Sequence, residues 1–184
     1  MMDMIQAADW AILHFIHNLF YSTPMDFFMP KVTLLGDYGL FWILIALLII
    51  LRSKEKKYGY MILIALVFCF LLGNLYLKPL FSRPRPCWLD PSVRLLIPNE
   101  TDFSFPSGHA MSSFAAATVL AMWKPLYKYC AYAVAGLIAF SRLYLYVHFP
   151  SDVIAGALIG ILLGWLTYRL VEVILQDLKQ SAAG

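Results

Sequence analysis

Long apolar runs are the feature that most limits what this chain can fold into. They occupy residues 38–51, 59–77, 111–123, 129–147 and 153–171. A transmembrane helix needs about 20 mostly apolar residues, with a usual range of about 17–25. Charged residues make up only 14% of the chain, whereas a soluble domain carries about 25%. The sequence therefore predicts an all-α, polytopic transmembrane helix bundle.

Charged residues, prolines and glycines divide the chain into about five predicted spans. These cover residues 31–51, 58–78, 106–123, 127–147 and 150–173. Gly36 and Asp37 are interpreted as a bend in the first span, and residues 79–105 as a loop rich in proline and charge. Domains usually run to about 100–200 residues, so residues 1–184 are predicted to form one domain.

The N-terminal segment, residues 4–21, predicts a helix that lies in the membrane interface rather than crossing it. Four apolar residues fall near one helical face: Ile5, Ile12, Ile16 and Leu19. Asp9 interrupts that face, while His14 and His17 point elsewhere. The segment lacks the basic start and the small-residue cleavage site of a signal peptide.

Basic residues in short loops predict the orientation. One face of the membrane would carry eight of them: Arg52, Lys54, Lys56, Lys57, Lys124, Lys128, Arg169 and Lys179. The other face would carry Lys31, Lys78, Arg83, Arg85, Arg94 and Arg142, of which three belong to the candidate site described next. When those three are set aside, the comparison is eight basic residues against three. The face with eight is therefore predicted to be the cytoplasmic face of the inner (plasma) membrane. The opposite face would then be outside.

Six ionisable residues fall at or near the ends of the apolar runs. They are Lys78, Arg85, His109, Arg142, His148 and Asp152. Ionisable groups at membrane depth are costly, so they suggest function. The predicted topology brings all six to the outer face. Three cations can hold an anion, while two histidines and a carboxylate can move a proton or attack phosphorus.

The segment Pro106-Ser107-Gly108-His109 predicts a helix start that binds an anion. Pro106 suits the first helical position, because its missing N–H would be unpaired there anyway. Free N–H groups and the positive end of the helix dipole would follow it. Gly108 would let a ligand approach the backbone closely. An ordinary helix start remains the alternative for this segment alone.

His148 and Asp152 lie four residues apart across Phe149-Pro150. Pro150 would begin a helix, so Asp152 would lie in the first turn and could reach back to the imidazole. A carboxylate there would fix the tautomer and leave the other ring nitrogen free to attack. The alternative is that Asp152 only caps the helix, together with Ser151.

The basic residues around the predicted loop fall into two groups. Arg85 can bind phosphate through two parallel hydrogen bonds, and Lys78 can act as a point charge. Arg83 and Arg94 are predicted to extend toward lipid headgroups instead.

A metal site is the competing chemistry, because two histidines and an aspartate could hold zinc or iron. Three nearby cations argue against a further cation, and the cysteines show no zinc spacing. No metal and no other cofactor is therefore predicted. The net charge of +3 is too small to indicate nucleic-acid binding, and no pattern predicts an oligomeric state.

Three motifs in this order resemble the signature of the type 2 phosphatidic acid phosphatase (lipid phosphate phosphatase) superfamily. Lys78 and Arg85-Pro86 read K-x6-R-P, residues 106–109 read P-S-G-H, and residues 141–152 read S-R-x5-H-x3-D. The same superfamily includes glucose-6-phosphatases and vanadium haloperoxidases. One motif alone is weak, but the ordered trio is specific.

The resemblance implies a role for each matching residue. His148 would be the nucleophile that forms a phosphohistidine, oriented by Asp152. His109 would be the general acid. The phosphoryl oxygens would be held by Lys78, Arg85 and Arg142, with help from Ser107 and the Gly108 N–H. The reaction would need no metal.

The predicted function is hydrolysis of a lipid phosphomonoester or pyrophosphate at the outer face. The small bacterial branch that the chain resembles contains undecaprenyl-pyrophosphate phosphatases, so undecaprenyl pyrophosphate is the expected substrate. Phosphatidylglycerophosphate, phosphatidic acid and lipid A are the alternative substrates. A haloperoxidase is disfavoured, because such enzymes are typically larger and soluble. A non-catalytic lipid-phosphate binder or transporter is the alternative of another class.

Overall fold

The computed structural model describes residues 2–181 of the chain, and the side chains of residues 4–181. Within that range the chain is helical, with no strand, so the predicted all-α class is confirmed. The helices are α1 (Met2–Phe20), α2 (Thr23–Leu34), α3 (Leu40–Arg52), α4 (Lys57–Cys69), α5 (Lys78–Phe81), α6 (Pro86–Leu89), α7 (Gly108–Trp123), α8 (Pro125–Tyr144) and α9 (Pro150–Ser181). A 3₁₀ turn, Asp37–Gly39, joins α2 to α3, and a π-helical segment, Phe70–Leu77, joins α4 to α5.

Two helical stretches in the described chain are long and apolar enough to cross a membrane, Lys57–Leu89 and Pro150–Ser181. The pair Thr23–Leu34 and Asp37–Arg52, bent by 49°, counts as a third if it forms one span. The predicted bend at Gly36 and Asp37 is therefore present. With 16 residues, α7 is shorter than a hydrocarbon core of about 30 Å requires. The described chain thus contains helices suited to cross a membrane, and the total of five spans stays a prediction.

Glycines on α9 set its distance from α7, the most buried helix of the bundle. They repeat every fourth residue, at Gly156, Gly160 and Gly164. A Cβ atom at Gly160 would lie 2.2 Å from the carbonyl oxygen of Met111. Cβ atoms at the other two would lie 2.5 Å from the carbonyl oxygens of Ser107 and Ala115. Small residues at this spacing let two helix backbones touch.

The close packing of α7 and α9 also aligns their starts. The Ser107 N–H, just before α7, donates to the Asp152 carbonyl oxygen in the first turn of α9 at 3.0 Å. Two motifs that lie 45 residues apart in sequence, from Ser107 to Asp152, are thereby joined through their backbones. This contact brings the residues around His109 and His148 to one end of the bundle.

The N-terminal helix forms over the predicted segment. Of the four residues of the predicted apolar face, Ile5, Ile12 and Leu19 are exposed and Ile16 is buried. Asp9 and Leu13 are also buried, and the Asp9 carboxylate accepts hydrogen bonds from Arg83 and Ser151. Whether α1 lies in the membrane interface stays a prediction.

Several predicted boundaries differ from the structure by a few residues. The third span does not begin at Pro106, because Ser107 is the N-cap and α7 starts at Gly108. The second span continues past Pro79 to Phe81, since proline is tolerated in the first turn of α5. The apolar residues of the predicted loop also face the protein. Leu95, Leu96 and Ile97 pack against a buried cluster that includes Cys87 and Val147.

Candidate active site

The three cations selected from the sequence lie together at one end of the bundle. Lys78, Arg85 and Arg142 are all buried. Arg85 Nη1 donates to the Val147 carbonyl oxygen at 2.9 Å, and Arg142 Nη1 donates to the Thr33 hydroxyl at 2.5 Å. These neutral acceptors orient the guanidinium groups and leave their charge uncompensated.

Two carboxylates from the loop before α7 provide the compensating charge. Asp102 Oδ1 lies 2.5 Å from Arg85 Nη2, and Oδ2 pairs with Lys78 Nζ. Glu100 pairs with Arg142 and lies 4.0 Å from Arg85 Nη2. Burial alone would raise the pKa of Asp102, but the ammonium and guanidinium groups lower that pKa to about 2. The two carboxylates meet the cations in the way that a bound anion would.

His148 lies in the turn between α8 and α9 with its ring buried. Its Nε2 atom is 3.3 Å from Arg85 Nη1. A guanidinium can only donate, so Nε2 is the acceptor and Nδ1 carries the proton. Burial, together with the charges of Arg85, Arg142 and Lys78, holds the pKa of His148 well below its usual value of 6.5. The ring is therefore neutral at neutral pH, with its Nε2 lone pair facing the cations.

Asp152 caps its helix, whereas its contact with His148 is indirect. Its Oδ2 accepts from the Phe149 N–H at 2.8 Å, which caps the start of α9. The same oxygen lies 3.7 Å from His148 Nδ1, too far for a direct hydrogen bond. The Ser104 hydroxyl contacts both groups: it donates to Asp152 Oδ2 and lies 3.4 Å from His148 Nδ1.

Arg83 was expected to extend toward lipid headgroups, and that prediction is wrong. Its Nη1 donates to Asp152 Oδ1 at 2.5 Å, and its Nη2 donates to Asp9 Oδ2 at 2.6 Å. The guanidinium also lies over the Phe149 ring, 4.3 Å from its centroid. Two buried carboxylates hold the side chain inside the protein. For Arg94, which is exposed, contact with headgroups stays a prediction.

The start of α7 differs in part from expectation. The Ser107 N–H is not free to bind an anion, because it donates to the Asp152 carbonyl oxygen. The Ser107 hydroxyl accepts from the Ala110 N–H at 3.5 Å as the helix N-cap. The N–H groups of Gly108 and His109 lie in the first turn, where a helix supplies no carbonyl partner. They and the helix dipole remain suited to an anion.

His109 lies in the first turn of α7, with a partner that the sequence did not indicate. Its Nε2 is 2.8 Å from Asp37 Oδ1, in the turn between α2 and α3. Within residues 4–181, no group of three or more His, Cys, Asp or Glu side chains could hold a metal ion. The prediction that the reaction needs no metal continues to rest on the charge of the three cations.

Five polar residues of the site were missed: Asp9, Asp37, Glu100, Ser104 and Asp102. Asp9 and Asp37 interrupt apolar segments, so the rule that selected His148 could have selected them too. Glu100, Asp102 and Ser104 lie in a polar loop, where such residues are common. For these three, the sequence contains no comparable signal.

Residues 54–175 match the PAP2 superfamily. An undecaprenyl-diphosphatase of Sulfolobus acidocaldarius is 32% identical over 142 residues, which is 76% of this chain and 67% of that protein. A lipid A 4'-phosphatase of Bacteroides thetaiotaomicron is 31% identical over 185 residues, which is 91% of this chain and 79% of that protein.

A solved structure agrees with these matches. The crystal structure of a transmembrane PAP2-type phosphatidylglycerolphosphate phosphatase from Bacillus subtilis has a TM-score of 0.75 and 30% sequence identity. The similarity covers 92% of this chain and 87% of that one. The resemblance inferred from the three motifs is thereby confirmed, and the chain belongs to the PAP2 superfamily as a phosphoric ester hydrolase.

Proposed function

We propose that this chain is a membrane-embedded phosphatase that converts undecaprenyl pyrophosphate to undecaprenyl phosphate through a phosphohistidine. The observation that carries the mechanism is the position of His148 Nε2, whose lone pair faces Arg85 beside Lys78 and Arg142. The similarity to the Sulfolobus undecaprenyl-diphosphatase supports the substrate.

In the first step, the terminal phosphate of the substrate replaces Glu100 and Asp102 on the three cations. His148 Nε2 attacks phosphorus, and the bond from phosphorus to the leaving oxygen breaks. His109 gives its proton to that oxygen. The ring of His148 becomes cationic, and the Asp152 carboxylate stabilises the new charge. Fixed cations around the phosphoryl group stabilise the charge on its oxygens.

In the second step, a water molecule attacks the phosphohistidine. The phosphorus–nitrogen bond breaks, its electron pair returns to His148 Nε2, and His109 accepts a proton from the water. Inorganic phosphate then leaves. Every proton and charge is carried by groups of this chain, so activity should survive EDTA.

The active site is proposed to face the outside of the inner membrane. Orientation depends on how many basic loop residues outside the site lie on each face of the membrane. Because Arg83 lies in the site network, only Lys31 and Arg94 count on the face of the site. The opposite end of the bundle holds the eight basic residues, among them Lys57, which pairs with Glu172 at 2.6 Å. This asymmetry favours a cytoplasmic position for that end.

Other lipid phosphates are alternative substrates, because the relatives of this chain are named for different lipids. Lipid A and phosphatidylglycerophosphate are candidates because a lipid A 4'-phosphatase and a phosphatidylglycerolphosphate phosphatase match this chain at similar identity. Phosphatidic acid is the remaining candidate of the same type. All these substrates present a phosphate to the same cations, so the site chemistry does not separate them.

A panel of purified substrates tests the proposal. Phosphate release should be fastest from undecaprenyl pyrophosphate, and His148→Ala should abolish release from every substrate while the protein stays folded. Faster turnover of lipid A or phosphatidylglycerophosphate would move the assignment to that lipid. Wild-type-like release by His148→Ala would overturn the nucleophile, and no release by the wild type would favour a lipid-phosphate binder.

A further inference from the structure

The turn between α2 and α3 is shaped around the His109 ring. A Cβ atom at Gly36 would lie only 2.4 Å from His109 Cδ2 and 2.7 Å from Ile138 Cγ2. Only a residue without a side chain lets the ring pack against the backbone at this point. The two residues after Asp37 leave the ordinary helical region, with φ of 52° at Tyr38 and 69° at Gly39. This local geometry orients the Asp37 side chain.

Asp37 makes the one close polar contact recorded for the His109 ring in the described chain. Its Oδ1 lies 2.8 Å from His109 Nε2, and the two residues are 72 positions apart in sequence. The other carboxylates nearby have different partners: Glu100 and Asp102 pair with Arg142, Lys78 and Arg85. Thus each histidine of the site has its own carboxylate, Asp152 for His148 and Asp37 for His109.

A carboxylate on Nε2 has two consequences for an imidazole. It favours the protonated, cationic ring, and it fixes the ring so that the second nitrogen points in one direction. With Nε2 held by Asp37, Nδ1 is the nitrogen whose N–H can reach a leaving oxygen. A general acid must be protonated and correctly oriented when the bond breaks.

We propose that Asp37 is a positioning residue that favours the protonated form of His109 and directs its Nδ1–H at the leaving oxygen. This inference rests on the proposed function. In the step it serves, the His148 Nε2–phosphorus bond forms, the phosphorus–oxygen bond breaks, and the Nδ1 proton passes to that oxygen. His109 is then neutral, paired with Asp37, and ready to accept a proton from water in the second step.

A role in general acid catalysis has a signature that a structural role lacks. An alkoxide is a poor leaving group and needs a proton as it departs, whereas p-nitrophenolate is stable without one. Loss of Asp37 should therefore slow hydrolysis of an alkyl lipid phosphate and have little effect on p-nitrophenyl phosphate. A general disturbance of the site would slow both reactions alike.

The experiment compares Asp37→Asn, His109→Ala and wild type in detergent micelles on phosphatidic acid and p-nitrophenyl phosphate. Asp37→Asn should lower kcat on phosphatidic acid by at least about tenfold, toward the range of about 10²–10⁴ that general acid catalysis supplies. On p-nitrophenyl phosphate, the loss should be much smaller. Asp177→Asn, an exposed aspartate on α9, is the matched control and should change neither rate.

The double variant Asp37→Asn/His109→Ala provides a second readout, because Asp37 should have no further effect once His109 is gone. Asp37→Glu keeps the charge and should show a weaker form of the same selectivity, even if Asp37→Asn folds poorly. An equal loss on both substrates, or an additive double variant, would overturn the role of Asp37 and leave the phosphatase assignment intact. Wild-type phosphate release from undecaprenyl pyrophosphate is measured in the same micelles, and its absence there and on both test substrates would instead count against the proposed function.

Discussion

His148 Nδ1 and Asp152 Oδ2 lie 3.7 Å apart, and the Ser104 hydroxyl contacts both of them. The carboxylate therefore acts on the ring partly through a hydroxyl that the sequence did not indicate. Asp152 is also held by the Arg83 guanidinium and the Phe149 N–H.

Ser104→Ala should lower turnover by about tenfold, a change of about 1.4 kcal/mol in the barrier. Asp152→Asn alone should cost more, up to about 10⁴-fold by analogy with the equivalent change in a serine protease. Because both residues act on His148, the double variant should be little worse than Asp152→Asn. Kinetics of the four proteins on one lipid substrate measure this coupling. Fully additive losses would show that Ser104 acts independently of Asp152.

Arg83→Gln should both unfold more easily and lose activity. The change leaves Asp9 and Asp152 buried without their shared cation, and breaking such a buried pair costs about 3–5 kcal/mol. Thermal unfolding in detergent and phosphate release are the two measurements. Arg94→Gln is the matched control at an exposed position. If Arg83→Gln behaved like Arg94→Gln, the network around Asp9 would not support the site.

The double variant Glu100→Gln/Asp102→Asn should be inhibited by vanadate about tenfold more strongly, or more. In this variant the two side chains no longer compete with vanadate for the three cations. Vanadate titrations of wild type and variant test this. Asp90→Asn is the control, because Asp90 bonds to Ser92 and Tyr146, away from the cations. Weaker inhibition in the double variant would mean that the carboxylates orient the cations rather than compete with phosphate.

Gly160→Ala should destabilise the protein strongly, whereas Gly136→Ala should not. A Cβ atom at Gly160 would lie 2.2 Å from the Met111 carbonyl oxygen, while one at Gly136 would meet nothing within 4 Å. Overpacking of this kind costs about 1–3 kcal/mol or more, and it would also separate the starts of α7 and α9. Unfolding temperatures and turnover of both variants give the answer. Equal stability would show that α7 and α9 do not depend on their close contact.

Cysteine labelling should report which side the site faces. Cys87 is a poor probe because it is buried. We therefore use a background in which Cys69, Cys87 and Cys130 are replaced. In intact cells, Ser92→Cys should react with an impermeant maleimide, and Lys54→Cys should react only after lysis. Both positions are exposed. The reverse pattern would put the site in the cytoplasm and leave its chemistry unchanged.

Much of the site could be predicted because its chemistry uses residue types that are costly in a membrane. Lys78, Arg85 and His148 stand out against apolar neighbours, and the bundle topology alone indicates that they meet. Arg83 shows the limit of this approach. A basic residue near a helix end is equally suited to lipid headgroups and to a buried carboxylate. Only the position of Asp9 decides between them.

The sequence by itself determined the helical class, the family and the main ionisable residues, because hydrophobic length and motif order are properties of the chain. The tertiary structure decided the partners. Asp37 meets His109, Asp9 meets Arg83, and the loop carboxylates meet the cations only because α7 packs against the glycines of α9 and the break after α2 turns inward. Such contacts join residues as much as 74 positions apart, and no local periodicity encodes them. They depend on backbone geometry that only the packed bundle fixes.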